Sequence, residues 1–150
     1  MDQIKIRVNR TTLFINDSNN IVGEIYIEKN GHSFFPEEKW TDFVVVVLSW
    51  WTKKLRYFEY AKVGEKTEFD FMDGPLLLRL KKVNEHEVNL VGIKRNLIND
   101  EMLFEAQTQF DDLKMNVVKV SKSVIGYAKL KGWEDNELVN LHNEIKSLFK

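Results

Sequence analysis

The sequence predicts an α+β domain built on antiparallel sheet, and three observations carry that expectation. Two blocks of period-two apolar alternation are divided by short turn signals, an apolar stretch at helical spacing lies between them, and two helical runs follow. The resulting order, βββ-α-ββββ-αα, requires no parallel crossover and so favours helices segregated from an antiparallel sheet of about seven strands. At 150 residues the chain fits one domain, 1–150, that buries roughly two thirds of its unfolded surface.

Ile4, Ile6 and Val8 alternate with Lys5 and Arg7, and the alternation returns at Leu13 to Ile15 and at Ile21 to Ile27, broken by Asn16-Asp17-Ser18-Asn19-Asn20. Three antiparallel strands are expected. Asn30-Gly31 ends the third, because this pair accepts the positive φ angles of a tight turn, and a short extended piece follows. Pro36, with Glu37, Glu38 and Asp42 after it, predicts a helix start there, since proline presets φ and the acids favour the positive end of a helix dipole. Trp40, Phe43, Val44, Val47, Leu48, Trp51, Leu55 and Phe58 then recur at three- and four-residue spacing. Val45, Val46 and Trp50 fall on the opposite side, so the first half of this helix is apolar nearly all round. Burial between layers, or an interface, is the expected consequence.

Thr67 to Phe71, Leu76 to Lys82, Glu87 to Arg95 and Met102 to Thr108 read as a meander of four strands, divided by Asp73-Gly74-Pro75, Asn84-Glu85 and Asn99-Asp100. Phe69, Phe71, Leu76, Leu78, Leu80, Val88, Leu90, Met102, Phe104 and Ala106 are expected on the buried face, and Glu68, Asp70, Arg79, Lys81 and Glu105 on the solvent face. From Phe110 onward, Leu113, Val117, Val120, Val124, Tyr127 and Ala128 follow helical spacing, and Leu138, Leu141, Ile145 and Leu148 define a second helix. Gly132 suits the left-handed residue closing the first, and Asp135 suits the cap of the second.

Composition narrows the function classes. Apolar residues at 43% and charged residues at 30%, with two prolines and seven glycines, describe a folded chain rather than a disordered one. A net charge of −1 supplies no global field for a nucleic-acid backbone or an anionic membrane, so neither is an expected partner. Without cysteine, disulfides, thiolate metal sites and thiol nucleophiles are excluded. The opening MDQIKIRVNR lacks the charged-then-apolar layout of a signal peptide, and Phe43 to Trp51 falls short of the roughly 20 apolar residues that span a bilayer; a cytoplasmic location is expected.

No residue set announces catalysis. His32, His86 and His142 are far apart and none has a partner at helical zinc spacing; Glu137 and Glu144 beside His142 read as a solvated helical face. Glu68, Asp70 and Asp73 resemble the carboxylates that hold a cation in a nuclease, yet a restriction-type core also wants an acid two residues before a strand lysine, and Gly92-Ile93-Lys94 has glycine there. No nucleophile elbow, Walker loop or dinucleotide fingerprint occurs. The expectation is therefore a protein that is not an enzyme and needs no metal or other cofactor.

Two surface features remain. Lys53, Lys54 and Arg56, with Trp50, Tyr57 and Tyr60, form a basic and aromatic group that can stack bases, although the half-exposed end of an amphipathic helix gives the same mixture. Asp100 and Glu101 at a turn, and Asp111 and Asp112 opening a helix, suit turn formation and a helix dipole, but carboxylates so placed also steer and orient a basic partner. With Asp70 and Asp73 they make up the expected partner-binding set.

FFPEEKWTDFVVVVLSWW and the later FDFMDGPLLLRL, within residues 34–80, resemble small bacterial immunity proteins, the antitoxins encoded beside secreted polymorphic toxins. The likeness rests on Phe35-Pro36, Trp40, Asp42-Phe43, Trp50-Trp51 and Met72-Asp73-Gly74. It implies a cysteine-poor α+β protein that binds a cognate toxin domain, such as a basic nuclease, and occludes its active site. On this reading Trp40 and Trp51, on the apolar stripe, belong to the core. The alternatives are a small-molecule or nucleic-acid binding module with a pocket between the central helix and a sheet, and an enzyme assembled from Asp70, Asp73 and Lys94.

Overall fold

The computed structural model describes every residue except Asp73. Among the described residues the chain is α+β, with nine strands in two antiparallel sheets, of five and four strands, and three α-helices. The single seven-stranded sheet expected from the sequence is thus two smaller ones.

In the first sheet, β1 (Ile4–Val8), β2 (Phe14–Ile15), β4 (Ser33–Phe35) and β5 (Thr41–Asp42) all pair with one long strand, β3 (Ile21–Lys29). β3 serves as the spine because its nine residues offer separate stretches to separate partners: β2 takes Ile21 and Val22, β1 takes Ile25 to Lys29. The turn from β3 to β4 has Asn30 at φ 54° and Gly31 at φ 78°, the two positive angles that Asn-Gly supplies.

Pro36 does not start the helix. Lys39 has φ 65°, which no right-handed helix accommodates, and Thr41–Asp42 pairs with β3 instead. The buried Asp42 carboxylate accepts hydrogen bonds from Trp40 Nε1 at 3.1 Å and from the Phe43 N–H at 2.7 Å. Helix α1 (Val44–Phe58) begins only after this clasp. Trp40 therefore lies off the helical stripe, half-buried, with its ring edge-on to Phe71 at 6.4 Å.

α1 packs against β3 and against β6 (Lys66–Asp70) of the second sheet, and against α2 (Phe110–Leu130) and α3 (Asn136–Ser147). Val44, Val45, Val47, Leu48, Trp51 and Leu55 are consequently inaccessible to solvent. Burial of branched side chains on several sides outweighs the mild strand preference of the four valines. Trp51 stacks on Phe69 at 5.0 Å, meets Phe71 edge-on at 5.3 Å, and donates Nε1–H to the Asp70 carbonyl at 2.9 Å. Both the apolar body and the polar tip of the indole are satisfied.

The second sheet is the expected meander, β6, β7 (Leu76–Lys82), β8 (Glu87–Lys94) and β9 (Glu101–Gln109), in that spatial order. Phe69, Leu78, Leu80, Val88, Leu90, Phe104 and Ala106 are buried as the alternation predicts, and Leu76 only partly. Met102 is not: it is 68% exposed. The register shifts between Gly92 and Ile93, so that Phe104 faces Gly92 while Met102 faces Ile93, and Leu103 is the extra residue of a bulge. Period two resumes inward only at Phe104.

α2 closes the free edge of the first sheet. Asn116 Oδ1 accepts the Ile6 N–H at 3.0 Å and its Nδ2 donates to the Ile4 carbonyl at 3.2 Å, so one amide replaces a strand partner on β1. Gly132 at φ 71° follows α2, and Asp135 Oδ1 accepts the Glu137 N–H at 3.1 Å as the cap of α3. Glu144 of α3 is not on a solvated face: it pairs with Arg56 of α1 at 3.3 Å. Among the described residues no helix is long and apolar enough to cross a membrane.

Candidate functional site

Strand register divides the acidic residues singled out above. Asp70 faces Leu77, Leu76 faces Lys94, and Lys94 faces Glu101, so Asp70, Asp100 and Glu101 share one end of the second sheet. Asp111 and Asp112 sit in the first turn of α2, beyond the other end of nine-residue β9. That length separates the two groups by roughly 30 Å. Asp73 lies outside the described residues. The expected set is therefore not one patch: Asp100 and Glu101 are exposed at the same sheet end as Asp70 but on the opposite edge, three strands away, while Asp111 and Asp112 serve the dipole of α2 on a distant surface.

What accompanies Asp100 and Glu101 is apolar. In the β8–β9 connection Leu97 and Ile98 are fully exposed, with Met102 and Leu103 exposed just after them. Burying each such side chain against a partner would gain about 1.5–3 kcal/mol. Asn99-Asp100 reads as an ordinary turn in the sequence, but Leu97-Ile98 between Asn96 and Asn99 is out of keeping with turn chemistry and is the signal of this exposed patch.

The second feature is a groove of about 440 Å³ between α1 and β6, lined by Trp50, Lys53, Lys54, Tyr57, Glu68 and Asp70. Residues 50, 53, 54 and 57 share one helical face, which α1 leaves exposed because its other faces are packed. Glu68 and Asp70 are half-buried rather than solvated. Arg79, directly opposite on β7, binds Glu68 Oε2 through Nε at 3.1 Å and Nη2 at 2.8 Å, and Arg95 reaches Oε1 at 2.6 Å. Burial alone would raise the Glu68 pKa, but the hydrogen bonds from Arg79 and Arg95 outweigh it and hold the carboxyl below its usual range. Asp70 shifts the other way: burial, then the charge of Glu68, push it above the usual range, and no described residue donates a hydrogen bond to its carboxylate.

Arg56, grouped with this patch on sequence, instead bonds Tyr57 Oη at 3.3 Å and Glu144 of α3. Tyr60 is exposed beyond the end of α1. Lys94 stands exposed at the end of β8, two strands from Asp70, and does not join the groove. Among the described residues no three of His, Asp and Glu come together as metal ligands. Neither protein-family models, curated proteins nor solved structures give a match to this chain.

Proposed function

We propose that this protein acts by binding another protein, as an immunity protein does, covering the active cleft of a bacterial toxin domain in a one-to-one complex. The observation that carries the reading is the β8–β9 tip, where exposed Leu97, Ile98 and Met102 lie beside the exposed carboxylates Asp100 and Glu101. Exposed aliphatic side chains rimmed by charge are the composition of a contact surface: the apolar residues gain from desolvation and the acids orient a basic partner. The tip stands at the end of the four-stranded sheet, and the proposed mechanism is occlusion without chemistry. The resemblance of residues 34–80 to immunity proteins points the same way, and among the residues that carry it Phe35, Asp42 and Trp51 are buried.

The test is to express the protein encoded immediately upstream, alone and together with this chain, and to measure growth and complex formation. A one-to-one complex that restores growth, and that Leu97→Ser with Ile98→Ser weakens at least about tenfold, supports the reading. Unchanged growth with no complex would sink it.

A further inference from the structure

Beyond the protein-binding tip, we propose that the groove between α1 and β6 is a separate site for a phosphorylated purine, with guanine as the base. Three kinds of group line it. Trp50 and Tyr57, 40% and 65% exposed, are aromatic side chains about two helical turns apart, the Tyr57 ring with Arg56 over it at 5.0 Å. Lys53 and Lys54 lie between them and form no ion pair among the described residues. Asp70, opposite, is a half-buried carboxylate that receives no hydrogen bond from a described residue.

Charge and geometry select among occupants. A guanidinium or ammonium group would stack on Trp50 and meet Asp70, but it would also meet both lysines, with Arg79 and Arg95 behind Glu68. The lining itself balances two lysines against two carboxylates, and Arg79 and Arg95, both paired with Glu68, add positive charge behind it. A bare anion would satisfy the lysines, leave the aromatic faces unused and face Asp70. A nucleotide answers all three: the base stacks, the phosphate takes the lysines, and the base edge donates to the carboxylate. Guanine fits best because its adjacent ring N–H and amino group match the two oxygens of a carboxylate. The volume, about 440 Å³, lies in the range of small-ligand sites. Because the Glu68–Arg79–Arg95 cluster already satisfies its own charges, Glu68 frames the site and Asp70 reads the base.

Calorimetric titration of the full chain tests this with guanosine monophosphate, uridine monophosphate, ribose 5-phosphate, inorganic phosphate and a short guanine-containing oligonucleotide. Guanosine monophosphate is expected to bind best. Trp50→Ala and Lys54→Ala, both on an exposed helical face, should each weaken it about tenfold with the thermal midpoint unchanged. Asp70→Asn should remove the preference over uridine monophosphate. The proposal is overturned if no compound binds, if ribose 5-phosphate or phosphate binds as tightly as the nucleotide, if only the oligonucleotide binds, or if Trp50→Ala leaves affinity unchanged.

Discussion

Arg95, at the base of the β8–β9 hairpin, extends past β7 to bind Glu68 on β6 at 2.6 Å, tying the exposed tip to the edge of the groove. Because Glu68 has a depressed pKa in the fold, its stabilising contribution is complete above the unfolded value of about 4.5 and disappears as pH falls through the lower folded value. Glu68→Gln should therefore be less stable than wild type at pH 7, by about 0.5–1 kcal/mol after allowance for solvent screening, with the difference shrinking at an acid pH well below the usual glutamate range. Urea titrations at the two pH values check it. A difference that persists in acid would mean that the side chain acts through packing.

Asp70 should behave with the opposite sign. Its folded pKa is raised, so the fold is favoured below the unfolded value of 3.8 and loses that advantage as pH rises through the folded one. Asp70→Asn removes the cost and should raise the thermal midpoint at pH 7 by about 1–3 °C. Scanning calorimetry decides it, and a lowered midpoint would show that the carboxylate has a structural partner.

Gly92 carries the ring of Phe35 directly above it, and a Cβ built there would stand 2.6 Å from that ring. Phe35 is fully buried and joins the two sheets, so it has no free direction in which to yield. Gly92→Ala is expected to cost about 1–3 kcal/mol by overpacking, and Phe35→Leu should recover part of the loss in the double variant. Additive losses would contradict the contact.

For Asn116, replacement by alanine leaves the Ile6 N–H and Ile4 carbonyl without their partner on a strand edge. A loss of about 1–3 kcal/mol is expected, together with concentration-dependent association through the uncovered edge. Chemical denaturation and light scattering measure the two effects, and Asn116→Ala with neither would show that water serves β1 equally well.

How much of this was legible in the residues differs by element. The meander was readable because each turn signal falls between clean alternations, as at Asn84-Glu85, and α1 because six apolar residues from Val44 to Phe58 keep one spacing. The start of α1 was not: Pro36 and its acids mimic a helix entry, and only the long-range pairing of Thr41–Asp42 with β3 withholds it. Met102 was misplaced because a bulge, which depends on the neighbouring strand, reverses the alternation without marking the sequence. That Asp70, Asp100 and Glu101 of the expected partner-binding set share one sheet end, and Asp111 and Asp112 do not, follows from register alone. Trp50, Lys53, Lys54 and Tyr57 were visible as a patch; the carboxylates facing them come from a strand on the far side of a loop.

The amide that covers β1 also orders events during synthesis. Ile6 leaves the ribosome 110 residues before Asn116, so the first strand can dock on β3 early but keeps an open edge until most of the chain has been made. Nascent chains halted before α2 would carry that edge uncovered and be the form most prone to pair with one another, whereas release of α2 seals it within the same molecule.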